Sequence, residues 1–60
     1  MNTVEQNRIT ANRILFELGL NMQKLFNRAY ELDGTTLIFK LNLIGCQTES
    51  DVKNLIKSYL

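Results

Sequence analysis

The side chains able to do covalent chemistry in this sequence are few, and they form no catalytic set. The chain contains one cysteine, Cys46, no histidine, and two serines, Ser50 and Ser58. A serine or cysteine nucleophile needs an adjacent base, most often histidine, to activate it, and no such pair is available here. We therefore expect that this protein is not an enzyme. We expect Cys46 to fill space as a small apolar residue.

The same inventory argues against metal and cofactor sites. Without histidine, a zinc site would have to combine the single thiolate of Cys46 with carboxylates, which is an implausible ligand set. The glycines Gly19, Gly34 and Gly45 stand far apart and form no phosphate-binding loop. We expect no metal and no cofactor, and a function that depends on a binding surface.

Length and composition predict one small domain that spans residues 1–60. A chain of 60 residues buries only about 60% of its unfolded surface, so it depends on efficient packing or on a partner chain. Its content of 45% hydrophobic and 22% charged residues is typical of a globular protein. No run of apolar or glycine residues exceeds four, which predicts neither a membrane span nor a signal-peptide core. A lone thiol without a secretion signal indicates the cytoplasm.

Charge is nearly balanced over the chain but unevenly distributed. The formal net charge of +1 does not itself indicate nucleic-acid binding, since domains with that function are usually strongly basic. Residues 1–30 have four basic and two acidic side chains, a balance of +2. Residues 31–60 have three lysines and four acidic side chains, a balance of −1. If DNA is the partner, the basic residues must share one face and a homodimer must supply the rest.

Cap residues and apolar spacing predict two helices in the first half. Thr3 followed by Gln6 is typical of a capping box, and Gly19 is placed to end this first helix in the left-handed conformation. Asn21 is a candidate cap for a second helix, with a turn predicted at residues 31–34. The apolar positions at helical spacing are Val4, Ala11, Ile14, Leu15 and Leu18, then Met22, Leu25, Phe26 and Ala29.

Residues 35–44 admit two interpretations. As a strand, Leu37, Phe39, Leu41 and Leu43 alternate with polar residues. That interpretation makes the protein α+β and requires a dimer, because the chain offers no second strand to pair with. As a helix, the segment has a threonine at its start and Gly45 at its stop, and we favour this interpretation.

The last segment predicts a helix that runs to the end of the chain. Thr48 followed by Asp51 indicates a helix start, with Glu49 and Asp51 in the positively polarised first turn. The apolar stripe of this helix is Val52, Leu55, Ile56 and Tyr59. The expected fold is therefore an all-α bundle of four short helices.

Two stretches of this bundle have a specific pattern of glycine, cap and apolar residues. The first is Gly-Leu-Asn-Met-Gln-Lys-Leu at residues 19–25, where a glycine, an apolar residue and a polar cap lead to a buried leucine. The second is residues 34–42, where a threonine pair precedes Leu37 and a basic–apolar pair follows at Lys40 and Leu41. Together they resemble the helix-turn-helix of the lambda-repressor and Cro family of small phage and bacterial regulators, and the resemblance implies a DNA-binding regulator of transcription.

The resemblance also implies roles for particular side chains. Thr35 and Thr36, at the start of the recognition helix, would reach base edges in the major groove. Gln23 and Lys24, at the start of the second helix, would hold the phosphate backbone. Arg28 and Lys40 would add phosphate contacts.

A second hypothesis belongs to another class: a helical adaptor or inhibitor that binds another protein. The sequence has more large apolar residues than one small core needs, and some of them should line a partner or homodimer surface. The residues that we assign to this interaction surface are Ile38, Phe39, Leu43, Tyr59 and Leu60.

Overall fold

The computed structural model describes residues 3–60, and within them the chain forms four helices. They are α1 (Val4–Glu17), α2 (Met22–Asp33), α3 (Leu37–Ile44) and α4 (Glu49–Tyr59). No strand occurs in the described residues, so the all-α prediction is confirmed and the alternative of a strand at residues 35–44 is wrong. A helix satisfies its own backbone hydrogen bonds, whereas a single strand leaves them unpaired.

Three of the helix starts have the side-chain caps that the sequence predicts. The hydroxyl of Thr3 accepts a hydrogen bond from the backbone N–H of Gln6 at 3.1 Å, and the Gln6 side chain accepts one from Thr3 at 3.0 Å. The Asn21 side chain accepts from the N–H of Lys24 at 3.0 Å and starts α2. Thr48 starts α4 with a second capping box. These bonds pair backbone donors that have no partner within the helix.

Two glycines in the left-handed conformation end the first two helices. Gly19 has φ of +74°, and the N–H of Leu20 returns to the carbonyl of Leu15 at 2.8 Å, which completes a Schellman motif. Gly34 has φ of +73° and ends α2, which continues through Asp33. The turn predicted at residues 31–34 is therefore wrong in position, because it begins only at Gly34.

The core lies where all four helices meet, and each helix contacts the other three. Phe39 of α3 is fully buried and stands edge-on to two rings. Its ring centroid is 5.9 Å from that of Phe26 on α2 and 5.2 Å from that of Tyr59 on α4. The remaining buried hydrophobic residues are Ala11, Leu15, Leu25, Ala29, Leu43, Cys46, Val52 and Ile56.

The buried line of α1 differs from the prediction. Asn7, Ala11 and Leu15 are fully buried at a spacing of four residues, whereas Val4 and Leu18, predicted on the apolar face, are half exposed. Val4 is the first residue of α1 and lies at the edge of the core, and Leu18 already lies past the end of the helix. A polar residue therefore occupies the core position nearest the start of α1.

Three residues assigned to an interaction surface belong to the core instead. Phe39 is fully buried, and Leu43 and Tyr59 are almost so. Packing explains the correction, because an eight-residue helix has only one line of side chains that can reach the other three helices, and α3 uses Phe39 and Leu43 for it. The other two assigned residues, Ile38 and Leu60, are about half exposed.

Candidate functional site

The outward side of α3 is an exposed apolar surface. Opposite its buried line, Leu37, Leu41 and Ile44 follow one another at intervals of four and three residues and are 58%, 57% and 51% exposed. We call these three residues the α3 ridge. Side chains at this spacing stand on one side of a helix, so the ridge is a continuous apolar stripe of two helical turns. Ile38, to one side of it, is about half exposed as well.

A groove lies beside the ridge, between α1, α2 and α3, with a cavity volume of about 510 Å³. Ile44 belongs to both features, so the groove and the ridge form one surface. The lining residues come from all three helices and are Val4, Arg8, Asn12, Met22, Phe26, Lys40, Leu43 and Ile44. Five of these eight side chains are apolar, which suits an apolar occupant with a small number of polar contacts.

The charges of the groove are of one sign. Among residues 3–60, Arg8 and Lys40 are the only charged residues that line it. In the described part of the chain the ion pairs are Arg13–Glu49 and Arg28–Glu31, so neither groove cation is neutralised by a carboxylate. The ammonium of Lys40 stands 5.3 Å from the centroid of the Phe26 ring, a cation–π contact that holds the charge at the groove.

Asn7 connects α1 with α3, two of the helices that line the groove. Its side-chain amide donates to the carbonyls of Leu43 and Cys46, both at 2.9 Å, and so ties α1 to the end of α3. The Oδ1 atom of Asn7 is buried and has no hydrogen-bond partner among residues 3–60. Sequence reasoning missed this residue, although its spacing of four from Ala11 was the available signal.

The residues predicted to contact phosphates differ in whether their side chains already form hydrogen bonds within the fold. Gln23 donates to the Asn27 side chain at 3.0 Å on the surface of α2. Arg28 is engaged within the fold, since it donates to the carbonyl of Tyr59 at 3.1 Å and to the Glu31 carboxylate at 2.9 Å. Lys24 is exposed in the first turn of α2 and has no ion pair within residues 3–60.

The residues predicted to read bases lie at the start of α3 and are partly committed to local structure. The hydroxyl of Thr35 accepts a hydrogen bond from the N–H of Leu37 at 3.1 Å. Thr36 occupies the N-cap position without a side-chain cap bond and is half buried. The helix that follows presents the α3 ridge outward, and Lys40 faces the groove. The structure brings Lys40 together with Arg8, a residue that the sequence did not single out for a role.

Cys46 offers no reactive site. It is buried, and its Sγ donates to the carbonyl of Asn42 at 3.3 Å. Burial, and secondarily the negative charge of Asp51, raise the pKa of this thiol above its ordinary value, so the reactive thiolate is disfavoured. Among residues 3–60, no cluster of cysteine and acidic side chains is arranged to hold a metal ion.

None of the described helices combines the length and the apolar character needed to cross a membrane. Comparisons of the chain with protein-family models, with curated proteins and with solved structures find no match.

Proposed function

We propose that this chain binds another protein through the α3 ridge and the adjoining groove, as an adaptor or inhibitor without catalytic activity. The observation that carries the proposal is the exposure of Leu37, Leu41 and Ile44 on a helix whose opposite side is core. Exposed apolar area is unfavourable by about 25 cal/mol per Å², and covering it is the main driving force of protein association. Contiguous apolar patches of this kind mark interaction sites.

The spacing of the ridge indicates the geometry of the contact. Residues at intervals of four and three are the anchors by which one helix packs into the groove of another element. The ridge and the groove share Ile44, so a partner element seated at Ile44 would contact both. The proposed setting is the cytoplasm, on the basis of the single free cysteine.

A photo-crosslinking residue at position 41 tests the proposal in cells that produce the protein. We expect a discrete protein adduct at position 41 and none when the same residue replaces Lys53, which is exposed on α4. Equal adducts at both positions, or none at 41, would contradict the proposal. The homodimer expected from the sequence is the competing arrangement, and an adduct of twice the chain mass, with concentration-dependent light scattering, identifies it.

DNA binding is the second candidate, and it rests on the resemblance to the lambda-repressor and Cro family and on Lys24. This cation lies in the first turn of α2, where there is no acidic residue and the backbone N–H groups favour phosphate. Against it, the outward side of the proposed recognition helix is apolar, whereas base edges are read mainly by polar side chains.

A fluorescence titration with random and AT-rich duplexes at low salt tests the DNA hypothesis. Binding weaker than about 100 μM would rule it out, since that is the weak limit of nonspecific binding. If the protein binds, Lys24→Ala and Lys40→Ala should each reduce the salt slope by about one, because each removes one phosphate contact. Thr36→Ala should instead change the sequence preference, and Ser50→Ala on α4 is the matched control.

A further inference from the structure

The groove beside the α3 ridge differs in its charges from a second hollow on the surface. Among residues 3–60, the lining of the groove includes two cations, Arg8 and Lys40, and no acidic residue. The second hollow, about 250 Å³ between α1 and α4, contains charges of both signs. Its charged lining residues are Arg13, Glu17, Glu49, Lys53 and Lys57. A positive rim around an apolar floor is complementary to an apolar ligand that has negative charge along its side.

The groove is long enough for two turns of a helix. Along α1 its lining residues are Val4, Arg8 and Asn12, at intervals of four residues, which places them in one row about 12 Å long. On α3 the lining residues are Lys40, Leu43 and Ile44, and Ile44 also belongs to the α3 ridge. A partner helix in the groove would therefore contact α1 and α3, together with Met22 and Phe26 of α2.

A second copy of this chain is a poor occupant. A two-fold dimer places the same surface on both sides of the interface, so the groove of one copy would face that of the other. The four cations of the two grooves would then share one interface, with no acidic residue among the described lining residues to neutralise them. Like charges brought together at an interface are unfavourable. Charge therefore favours a different, acidic partner.

We infer that the partner docks with an amphipathic helix whose apolar stripe is flanked by glutamate or aspartate. Its apolar side chains lie against the α3 ridge and the floor of the groove, and its carboxylates pair with Arg8 and Lys40. This inference rests on the proposed protein-binding function and specifies the chemistry of the partner. Both cations already stand at the groove, so the pairing requires no rearrangement of the fold.

Two synthetic amphipathic peptides of about 18 residues, or five helical turns, test the inference. They share one leucine stripe and differ only in the residues beside it, all glutamate in one peptide and all lysine in the other. Fluorescence anisotropy with the full chain at low salt measures their affinities. We expect the acidic peptide to bind more tightly by about ten-fold or more, with a preference that shrinks as salt is raised.

Neutralising variants locate the interaction. Arg8→Gln and Lys40→Gln should each weaken binding of the acidic peptide by about two- to five-fold, the size of a partly exposed ion pair. Lys53→Gln makes the same charge change on α4 and should leave the affinity unchanged. Circular dichroism of each variant checks that the helices are intact.

The outcomes separate this inference from the function on which it rests. Equal binding of both peptides, tighter binding of the basic one, or no binding of the acidic one overturns the acidic-helix inference. In each of those cases an adduct at position 41 with a protein other than a second copy of this chain still supports the proposed function. Binding of duplex DNA that depends on Arg8 and Lys40, with no binding of either peptide, overturns both.

Discussion

The hydroxyl of Tyr59 donates a 2.7 Å hydrogen bond to the carboxylate of Asp33, and this bond joins the end of α4 to the end of α2. Arg28 reinforces the junction from the side of α2, because its guanidinium donates to the backbone carbonyl of Tyr59. The Tyr59 ring meanwhile packs edge-on against Phe39 in the core. One residue thus links the terminal helix to both α2 and α3.

Replacing Tyr59 by phenylalanine removes the hydrogen bond and keeps the ring. We expect Tyr59→Phe to lower the free energy of unfolding by about 0.5–1.5 kcal/mol. In a domain of this size that corresponds to a fall in Tm of several degrees, about 4–8 °C per kcal/mol. Thermal unfolding followed by circular dichroism at pH 7 measures it. Tyr30→Phe, on the exposed side of α2, is the control and should leave Tm unchanged.

The same bond makes stability depend on alkaline pH. The hydrogen bond to Asp33, followed by burial, raises the pKa of Tyr59 above its ordinary value. The folded state therefore holds this proton more tightly than the unfolded state does. The contribution of this hydrogen bond to the free energy of unfolding is complete below the unfolded pKa of about 10. It is lost as the pH rises through the pKa of Tyr59 in the folded state. The stability difference between the wild type and Tyr59→Phe should thus shrink above about pH 10; a constant difference would contradict this.

Asn7 should be the polar residue on which the fold depends most. Asn7→Ala removes both donors to the carbonyls of Leu43 and Cys46, and we expect a loss of about 1–3 kcal/mol in urea unfolding. Asn12→Ala, on the exposed side of the same helix, should change stability by no more than about 0.5 kcal/mol. Equal effects of the two variants would show that the amide bonds do not hold α3 in place.

The Asn7→Asp substitution should make the stability of the fold depend on pH. An ionised carboxylate cannot donate to two carbonyls, whereas a protonated carboxyl group can donate one hydrogen bond. We expect Asn7→Asp to be less stable than Asn7→Ala at neutral pH, since it also buries a charge. It should regain stability relative to Asn7→Ala as the pH is lowered, and parallel pH profiles of the two variants would contradict the assignment.

Asp51 should stabilise the start of α4 only while it is ionised. The backbone N–H groups of Gln47 and Thr48 donate to its carboxylate, each at 3.1 Å, and lower the pKa of Asp51 below its ordinary value. A lowered folded pKa means that the contribution is present above the unfolded value of about 3.9 and is lost as the pH falls through the folded value. Asp51→Asn should therefore be less stable than the wild type at pH 7. The difference should disappear in strong acid.

Thr48 is the other residue of the α4 capping box, and its substitution gives an independent measurement of how far the cap stabilises the fold. Thr48→Ala should lower the free energy of unfolding by about 1 kcal/mol, because the N–H of Asp51 loses its acceptor. Ser50→Ala, in the same exposed first turn, removes a hydroxyl with no capping role and should have little effect. If both substitutions behave alike, the cap is not what starts α4.

The two sides of α3 should respond oppositely to substitution. Phe39→Ala removes the centre of the aromatic cluster and should cost about 3–5 kcal/mol, enough to unfold much of a domain this small. Leu41→Gln lies on the exposed α3 ridge and should change stability by no more than about 0.5 kcal/mol while it weakens partner binding. Urea unfolding of both variants separates these roles. Loss of the fold in Leu41→Gln would show that the ridge is structural.

Cys46 should be protected from thiol reagents in the folded protein. Burial and the raised pKa of its thiol both oppose formation of the thiolate that reacts. We expect labelling by a chromogenic disulfide at pH 7 to be at least about ten-fold slower in buffer than in concentrated urea. Equal rates under the two conditions would mean that the thiol is exposed.

Local signals in the sequence determined three helix starts and the end of α1. Thr3, Asn21 and Thr48 start the helices that they predict, and Gly19 ends the first, because caps act over one helical turn and need no distant partner. The helical interpretation of residues 35–44 was also correct, since no strand partner exists in the described chain. The turn after α2 was misplaced by three residues, because nothing local distinguishes Glu31 to Asp33 from helix.

Tertiary packing alone decided which side chains form the surface. Residues 37–44 are apolar nearly all round, so their spacing does not reveal which line faces the core. Contacts with three other helices bury Phe39 and Leu43 and leave Leu37, Leu41 and Ile44 outside, which reverses part of the predicted interaction surface. Arg8 and Lys40 line the same groove although they are 32 positions apart in the sequence. Only the crossing of α1 and α3 brings them together, and no local pattern encodes that crossing.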